Sequence, residues 1–181
     1  MTDPFDLLGL PRRPLLSEEE IGTAYRKLAG EIHPDQADGD ANRFKELGEA
    51  ASILDDPARR LRSLAGIDSG SIPSPEATDL FPRIATLLQE ADSLISRHAA
   101  ATNPLAKAVL AVPIKKLAAD LEGLLSILHE WHSSLDVRLK KLDDAWQMHD
   151  LKEVAALADS FAYARRWERQ LKERKLTLDC I

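Results

Sequence analysis

Apolar residues recur at helical intervals along most of the chain. Over residues 17–33 they stand at steps of three and four, beginning with Ile21, which places them on one helical face. Ser17 and Glu20 have the spacing of a capping box, and Pro34 disfavours the helical backbone in the residue before it, so both ends of this helix are marked. The same reasoning predicts further helices at Pro4–Leu8, from about Ala41, and after Asp56–Pro57.

A longer apolar seam occupies the second half of the chain. From Leu110 to Trp146 the apolar residues alternate steps of three and four almost throughout, as in a long helix packed against antiparallel partners. Ser74–Pro75–Glu76 predicts the start of an earlier helix, and Leu151 begins the apolar positions of a last one. There is no run of alternating β-branched residues. The pattern predicts an all-α chain that ends in a three-helix bundle, with a long hairpin as the alternative.

A break in this periodicity separates the two halves. Gly, Ser and Pro dominate from Gly66 to Pro75, and no helical or strand period continues through that stretch. We therefore predict a first domain at residues 1–66, a linker at 67–75 and a C-terminal domain at 76–181. The composition of the linker also predicts that few contacts join the two domains.

Composition narrows the class of protein. Hydrophobic residues make up 44% and charged residues 30%, which is ordinary globular composition. No apolar stretch approaches the ~20 residues of a membrane-spanning helix, and no secretory signal is visible. The single cysteine, Cys180, cannot form an internal disulfide, which fits a reducing compartment. A net charge of -6 gives no basic excess for nucleic acid. We expect a cytoplasmic protein with neither membrane nor nucleic acid as partner.

The sequence offers no clear chemistry for catalysis. We find no nucleophile–base arrangement and no glycine-rich phosphate loop. His129 and His132 lie one turn apart and would suit a metal only with a third ligand such as Glu130. Two histidines on the flank of a packed helix explain this spacing more simply. We therefore predict no catalytic residue, no metal and no cofactor, and interpret the protein as a non-enzyme.

The tripeptide His33–Pro34–Asp35 directly follows the first long helix. Alone, it would only end a helix and begin a turn. Its neighbours are Phe5–Leu10 upstream, Ala24–Ala29 within the helix, and Arg43–Leu47 and Leu54–Pro57 downstream. In this order and at these separations, the segments resemble the J domain of DnaJ-like co-chaperones over roughly residues 3–66.

That resemblance implies a helical hairpin whose loop docks on the ATPase domain of a DnaK-type chaperone. In this interpretation Asp35 accepts a charge-assisted hydrogen bond from a partner arginine. Pro34 fixes the loop, and His33 supplies a polar contact. The segment Tyr25, Arg26 and Lys27 matches the family's partner-facing part of the helix.

Some positions leave alternatives open. Tyr25 also lies four residues after Ile21, so it fits the core as well as a partner surface, with the family pattern favouring the surface. Gly22–Thr23 and Gly30–Glu31 stand where the family often carries basic residues. With so few cations, we expect weak and salt-sensitive electrostatic steering toward the chaperone.

The architecture as a whole, a J domain followed by a short linker and three helices, resembles the HscB-type co-chaperone of iron–sulfur cluster assembly. That resemblance implies that the first helix after the linker binds an iron–sulfur scaffold protein as client. Leu87–Leu88 and Leu94–Ile95 make the apolar stripe of this helix wider than one packed seam requires. We therefore expect exposed client-binding residues, since exposed apolar patches tend to be interaction sites. The candidates are Leu80, Ile84, Leu87 and Leu88.

Other functions remain open at this point. A helix buried on two sides would explain the wide stripe equally well. The stretch Asp79–Glu90 lacks most of the glutamates that the HscB family presents to its client. The alternatives are therefore a co-chaperone for a different client, or a J-like helical adaptor that does not stimulate an ATPase.

Overall fold

The structure, a computed structural model, describes residues 3–33, 40–66, 74–146 and 150–181. Within these ranges it contains seven helices and no strand. They are α1 (Pro4–Leu8), α2 (Glu18–Glu31), α3 (Ala41–Asp55), α4 (Pro57–Ala65), α5 (Pro75–Ala100), α6 (Pro104–Asp144) and α7 (Leu151–Asp179). The prediction of an all-α chain is confirmed.

Side-chain caps fix where the first four helices begin. The Ser17 hydroxyl accepts from the backbone N–H of Glu20 at 3.1 Å, and the Glu20 carboxylate accepts from the backbone N–H of Ser17 at 2.8 Å, which completes the predicted capping box. The bond from the Ser17 backbone is the main reason that the pKa of Glu20 is lowered. Asp3, Asp40 and Asp56 cap α1, α3 and α4. Short helices need such caps because they offer little packing surface of their own.

The first four helices enclose a small hydrophobic core. α1 and α2 both contact α3, which also packs against α4. The buried cluster combines residues from α1, α2, α3 and the segment before α2: Phe5, Leu8, Leu16, Ile21, Ala29, Leu47, Ala50 and Leu54. Leu54 and Phe5 are fully buried, and Ile21, with which the predicted apolar face of α2 begins, is 4% exposed.

The apolar seam of α6 is buried as predicted, except at its last residue. Every seam residue from Leu110 to Leu142 is at most 8% exposed. Trp146 is only partly buried, because its indole nitrogen reaches out of the seam to donate to the carbonyl of Arg12 at 2.8 Å. Leu151, predicted for the apolar stripe of α7, is 49% exposed, whereas Val154 and Leu157 behind it are buried.

The compact units of the molecule do not follow the predicted domain boundary. One unit comprises Met1–Ile72 together with Asp136–Phe161, and the other comprises Pro73–Leu135 together with Ala162–Ile181. The first unit therefore includes the end of α6 and the start of α7. The expectation of few contacts across the linker is not met, since residues from beyond it pack into the first unit.

Specific polar contacts explain this grouping. The Arg62 guanidinium donates to the Asp159 carboxylate at 2.7 Å, and Asp159 is only 4% exposed. The backbone N–H of Leu15 donates to the Asp143 carboxylate at 2.9 Å. Arg60, 3% exposed, donates to the carbonyl of Pro14 at 2.7 Å. Burial lowers the pKa of Arg60, and nearby carboxylates including Asp143 oppose that shift. No local pattern in the sequence predicts this long-range pairing.

Candidate functional site

The candidate site lies where α2 ends and α3 begins. The backbone N–H of Asp40 donates to the carbonyl of Ile32 at 3.2 Å, which holds the two ends of the intervening segment together. His33 is described and partly buried, whereas Pro34 and Asp35 lie outside the described residues. Of the predicted tripeptide, His33 is therefore the residue whose contacts are described below.

The ring of Phe44 supports the site from α3. It meets the His33 imidazole edge-on, with ring centroids 5.4 Å apart, and its centroid lies 6.5 Å from that of Tyr25. Edge-to-face and tilted contacts at these distances are favourable for aromatic pairs. Two predicted site residues are thus positioned by one aromatic ring, and that ring also packs against the buried cluster.

Tyr25 is partly buried against that same cluster. Its ring therefore packs in part against the core, which is the alternative that its position four residues after Ile21 allowed. Its other surface is accessible, so a partner contact at this position stays a prediction.

Arg26 and Lys27 are exposed on α2. The Arg26 guanidinium folds back along the helix, where it donates to the hydroxyl of Thr23 at 3.2 Å. There it also lies over Gly22, since a Cβ added to that glycine would come within 3.0 Å of Arg26 Nη1. Lys27 forms no ion pair with any described residue. Gly22 and Thr23 are small, so the Arg26 side chain can lie along the helix against them. A partner that binds Arg26 has to move its guanidinium away from α2.

The four predicted client-binding residues differ in burial. Ile84 is 1% exposed and belongs to the core of the second unit, so in this conformation its side chain is inaccessible to a client. The reason is its place on the packed face of α5, with Ala77 and Ala91 seven residues to either side and equally buried. Leu80, Leu87 and Leu88 are partly exposed, and their role in client binding stays a prediction.

An aromatic pocket, lined by Ala77, Thr78, Phe81, Tyr163 and Trp167, opens between α5 and α7. Its volume is about 280 Å³. Phe81 is 58% exposed, and its ring centroid lies 6.5 Å from that of Trp167. The ring centroids of Tyr163 and Trp131 lie 5.3 Å and 6.0 Å from that of Trp167. The pocket thus joins the exposed ring of Phe81 to the buried ring of Trp167, which suits an apolar side chain from a partner protein.

Sequence reasoning missed this pocket although a signal was present. Ala77 and Phe81 are four residues apart on α5, and Tyr163 and Trp167 are four residues apart on α7. Such spacing places each pair on one face of its helix. Nothing in the sequence shows, however, that those two faces meet.

Two further observations bear on binding. Among the described helices, none has both the length and the apolar character required to cross a bilayer. Three or more His, Cys, Asp or Glu side chains do not come together as a possible metal site anywhere in the described ranges.

Comparison with known proteins places the first helices in a family. Residues 3–62 match the DnaJ domain family. Protein SIS1 of Saccharomyces cerevisiae is 46% identical over 59 residues, which are 33% of this chain and 16% of that protein. The chaperone protein DnaJ of Deinococcus proteolyticus is 46% identical over 61 residues, 32% of this chain and 19% of the relative. The chain thus matches these relatives over less than a fifth of their length.

Solved structures match the chain over nearly its whole length. The human co-chaperone protein HscB matches 97% of this chain and 83% of its own, with a TM-score of 0.58 and 15% identity. The chaperone HscB from Vibrio cholerae matches 98% of this chain and 99% of its own, with a TM-score of 0.56 and 16% identity. At this identity the likeness concerns the fold. The chain has a J domain within an HscB-like helical architecture.

Proposed function

Because residues 3–62 are a DnaJ domain in a chain with the HscB fold, we propose that this protein is a J-domain co-chaperone. It binds a DnaK-type chaperone through His33, Pro34, Asp35 and the α2 residues Tyr25, Arg26 and Lys27, and it stimulates ATP hydrolysis in that partner. The observation that carries the proposal is the support of His33 by Phe44 at the end of α2. A side chain held in place before binding loses less entropy when it docks.

Residues Arg26 and Lys27 supply the charge for this docking. Both are exposed on α2, and Lys27 is unpaired among the described residues. Two cations on one exposed helix give modest attraction to an acidic partner surface, which salt screens over about 10 Å at 0.1 M. Binding should therefore depend on the contact of the tripeptide more than on long-range attraction.

The test is the rate of ATP hydrolysis by a purified DnaK-type chaperone with and without this protein. We expect His33→Gln to remove the stimulation while the helical content and melting temperature stay unchanged. His129→Gln is a matched control, because His129 is exposed on α6 and lies outside the J domain. Stimulation by His33→Gln at the wild-type level would contradict the proposed mechanism.

The finer proposal concerns the client. We infer that the C-terminal helices deliver a client protein to the chaperone, with an iron–sulfur scaffold protein as the leading candidate. Support comes from the HscB-like fold over nearly the whole chain and from the aromatic pocket that Phe81 lines on the same helix as Leu80. A reducing compartment such as the cytoplasm, inferred from the single exposed cysteine, suits both the client and the partner.

Calorimetry with a purified iron–sulfur scaffold protein tests this assignment. We expect Leu80→Ala/Leu88→Ala to weaken binding, with Leu87 contributing from the same partly exposed surface. Binding unaffected by this double change would move the client surface elsewhere. If the wild-type protein binds no scaffold but stimulates the ATPase, the protein is a co-chaperone for another client, as its generic DnaJ relatives would suggest. If it stimulates no ATPase, it is a helical adaptor.

A further inference from the structure

The first turns of α6 expose an unusual number of apolar side chains. Leu105 is 75% exposed, Val109 66% and Val112 77%. Steps of four and three place these residues on one face of the helix. The core-facing residues of the same stretch, Leu110 and Ile114, are buried. No described residue covers this apolar face, and exposed apolar patches tend to be interaction sites.

The chain segment that contains this face carries charge of a single sign. Between Asp92 and Asp120 the sequence contains no acidic residue, although the chain as a whole has a net charge of -6. The same stretch contains four cations, Arg97, Lys107, Lys115 and Lys116. None of the four forms an ion pair with a described residue, whereas Lys172, Arg174 and Lys175 further along the chain are all paired. These cations are therefore available to an external anion.

Two of these cations continue the exposed face. Lys115 and Lys116 are exposed and follow Val112 by three and four residues, so they lie on the same side of α6 as the apolar side chains. Lys107 stands two residues from both Leu105 and Val109 and therefore lies on another side of the helix. The face thus combines apolar side chains with adjacent lysines, which is complementary to an apolar stripe flanked by carboxylates.

We propose that Leu105, Val109 and Val112, together with Lys115 and Lys116, form a docking surface for an acidic amphipathic helix of a partner protein. The partner's apolar face covers the three exposed side chains, and its carboxylates pair with the lysines. Helices are commonly recognised in this way through residues at i, i+4 and i+7. This surface shares no residue with the J-domain site or the aromatic pocket, so it does not depend on the proposed client.

Charge and shape select this occupant over two others. A second copy of the chain would bring the same unpaired cations to the contact, and like charges opposite one another disfavour association. Binding to a membrane surface increases with the apolar area that inserts, and here that area is three side chains over about two helical turns, with no aromatic ring among them. An acidic helix satisfies both the apolar face and the cations.

The experiment uses the full chain and a defined probe. The probe is a fluorescent peptide of about 15 residues, close to the length at which isolated helices form in water, with leucines at i, i+4 and i+7 and glutamates elsewhere. The matched peptide carries lysine in place of every glutamate. We expect the acidic peptide to bind in fluorescence anisotropy, more weakly as salt rises, and the lysine peptide not to bind.

Variants locate the site. Leu105→Ser/Val112→Ser should weaken binding of the acidic peptide by at least about tenfold, and circular dichroism should show a folded protein because both positions are exposed. Val137→Ser is the matched control, since Val137 is 56% exposed later in α6. Lys115→Glu/Lys116→Glu should transfer the preference to the lysine peptide.

Several outcomes would overturn the proposal. One is equal binding of the two peptides, which would mean that charge plays no part. Another is binding to vesicles of phosphatidylcholine and phosphatidylglycerol in the absence of peptide binding, which would assign the face to a membrane. A third is a concentration-dependent dimer in analytical ultracentrifugation that Leu105→Ser/Val112→Ser abolishes, which would assign it to self-association.

Discussion

In the J domain, the side chains that we propose for partner binding are mostly polar and lie on or just after α2, with the ring of Phe44 against His33. In the C-terminal helices the proposed binding side chains are apolar, such as Phe81 and Leu105, and they project from helices whose opposite faces are buried. In these proposals the first region specifies its partner by a few positioned polar groups. The second gains affinity from apolar area and takes its selectivity from nearby charge. Substitutions in the two regions should therefore affect the free energy of unfolding and the binding of a partner to different degrees.

The largest expected effect distinguishes a buried leucine of α6 from an exposed one. Leu124 is fully buried in the seam, so Leu124→Ala should lower the free energy of unfolding by roughly 2–5 kcal/mol. Leu105→Ala removes the same atoms at a position 75% exposed and should cost less than about 0.5 kcal/mol. Arg138→Ala, on the flank of the seam, should also cost far less than Leu124→Ala. Urea denaturation measures all three, and equal costs would refute the assignment of the seam.

The second prediction tests whether the J-domain site depends on the ring of Phe44, which contacts His33. Phe44→Ala should lower the free energy of unfolding by about 2 kcal/mol, less than for a fully buried ring because Phe44 is partly exposed. It should also reduce stimulation of the chaperone ATPase, since His33 loses its support. Phe44→Leu keeps most of the buried apolar area but not the aromatic contact. Full stimulation by Phe44→Ala would show that the site needs no such support.

A smaller loss of stability is expected when the ion pair between Arg62 of α4 and Asp159 of α7 is removed. Arg62→Ala leaves the Asp159 carboxylate, 4% exposed, without its ion-pair partner, and should cost about 1–2 kcal/mol. Lys172→Ala removes an exposed ion pair with Glu168 and should cost at most about 0.5 kcal/mol. Thermal unfolding of the two variants gives the comparison. Equal costs would mean that this long-range contact adds no stability.

The smallest expected change in stability accompanies the aromatic pocket. Phe81 is 58% exposed, so Phe81→Ala should lower the free energy of unfolding by less than about 1 kcal/mol. The affinity of the Phe81→Ala protein for the client should fall severalfold, because the pocket loses its exposed aromatic ring. Calorimetry with the client and denaturation of the free protein measure the two quantities. A large loss of stability with unchanged client affinity would assign Phe81 to the core.

Most of the fold follows from local signals in the sequence. The capping box at Ser17 and Glu20, the steps of three and four from Leu110, and Asp56 before Pro57 each depend on residues within a few positions of one another. Such interactions act wherever the chain goes, so the sequence alone determines them. The tripeptide that begins at His33 can also be identified locally, because it directly follows a helix whose two ends the sequence marks.

Tertiary structure alone decided which apolar residues remain exposed and which distant residues meet. Ile84 and Phe81 both stand on α5 among apolar neighbours, yet Ile84 is 1% exposed and Phe81 58%. The pairing of Arg62 with Asp159 spans 97 positions of sequence, and no local pattern encodes it. Helical periodicity fixes which residues share a face, but burial depends on whether another helix covers that face, and the packing of the whole chain determines that.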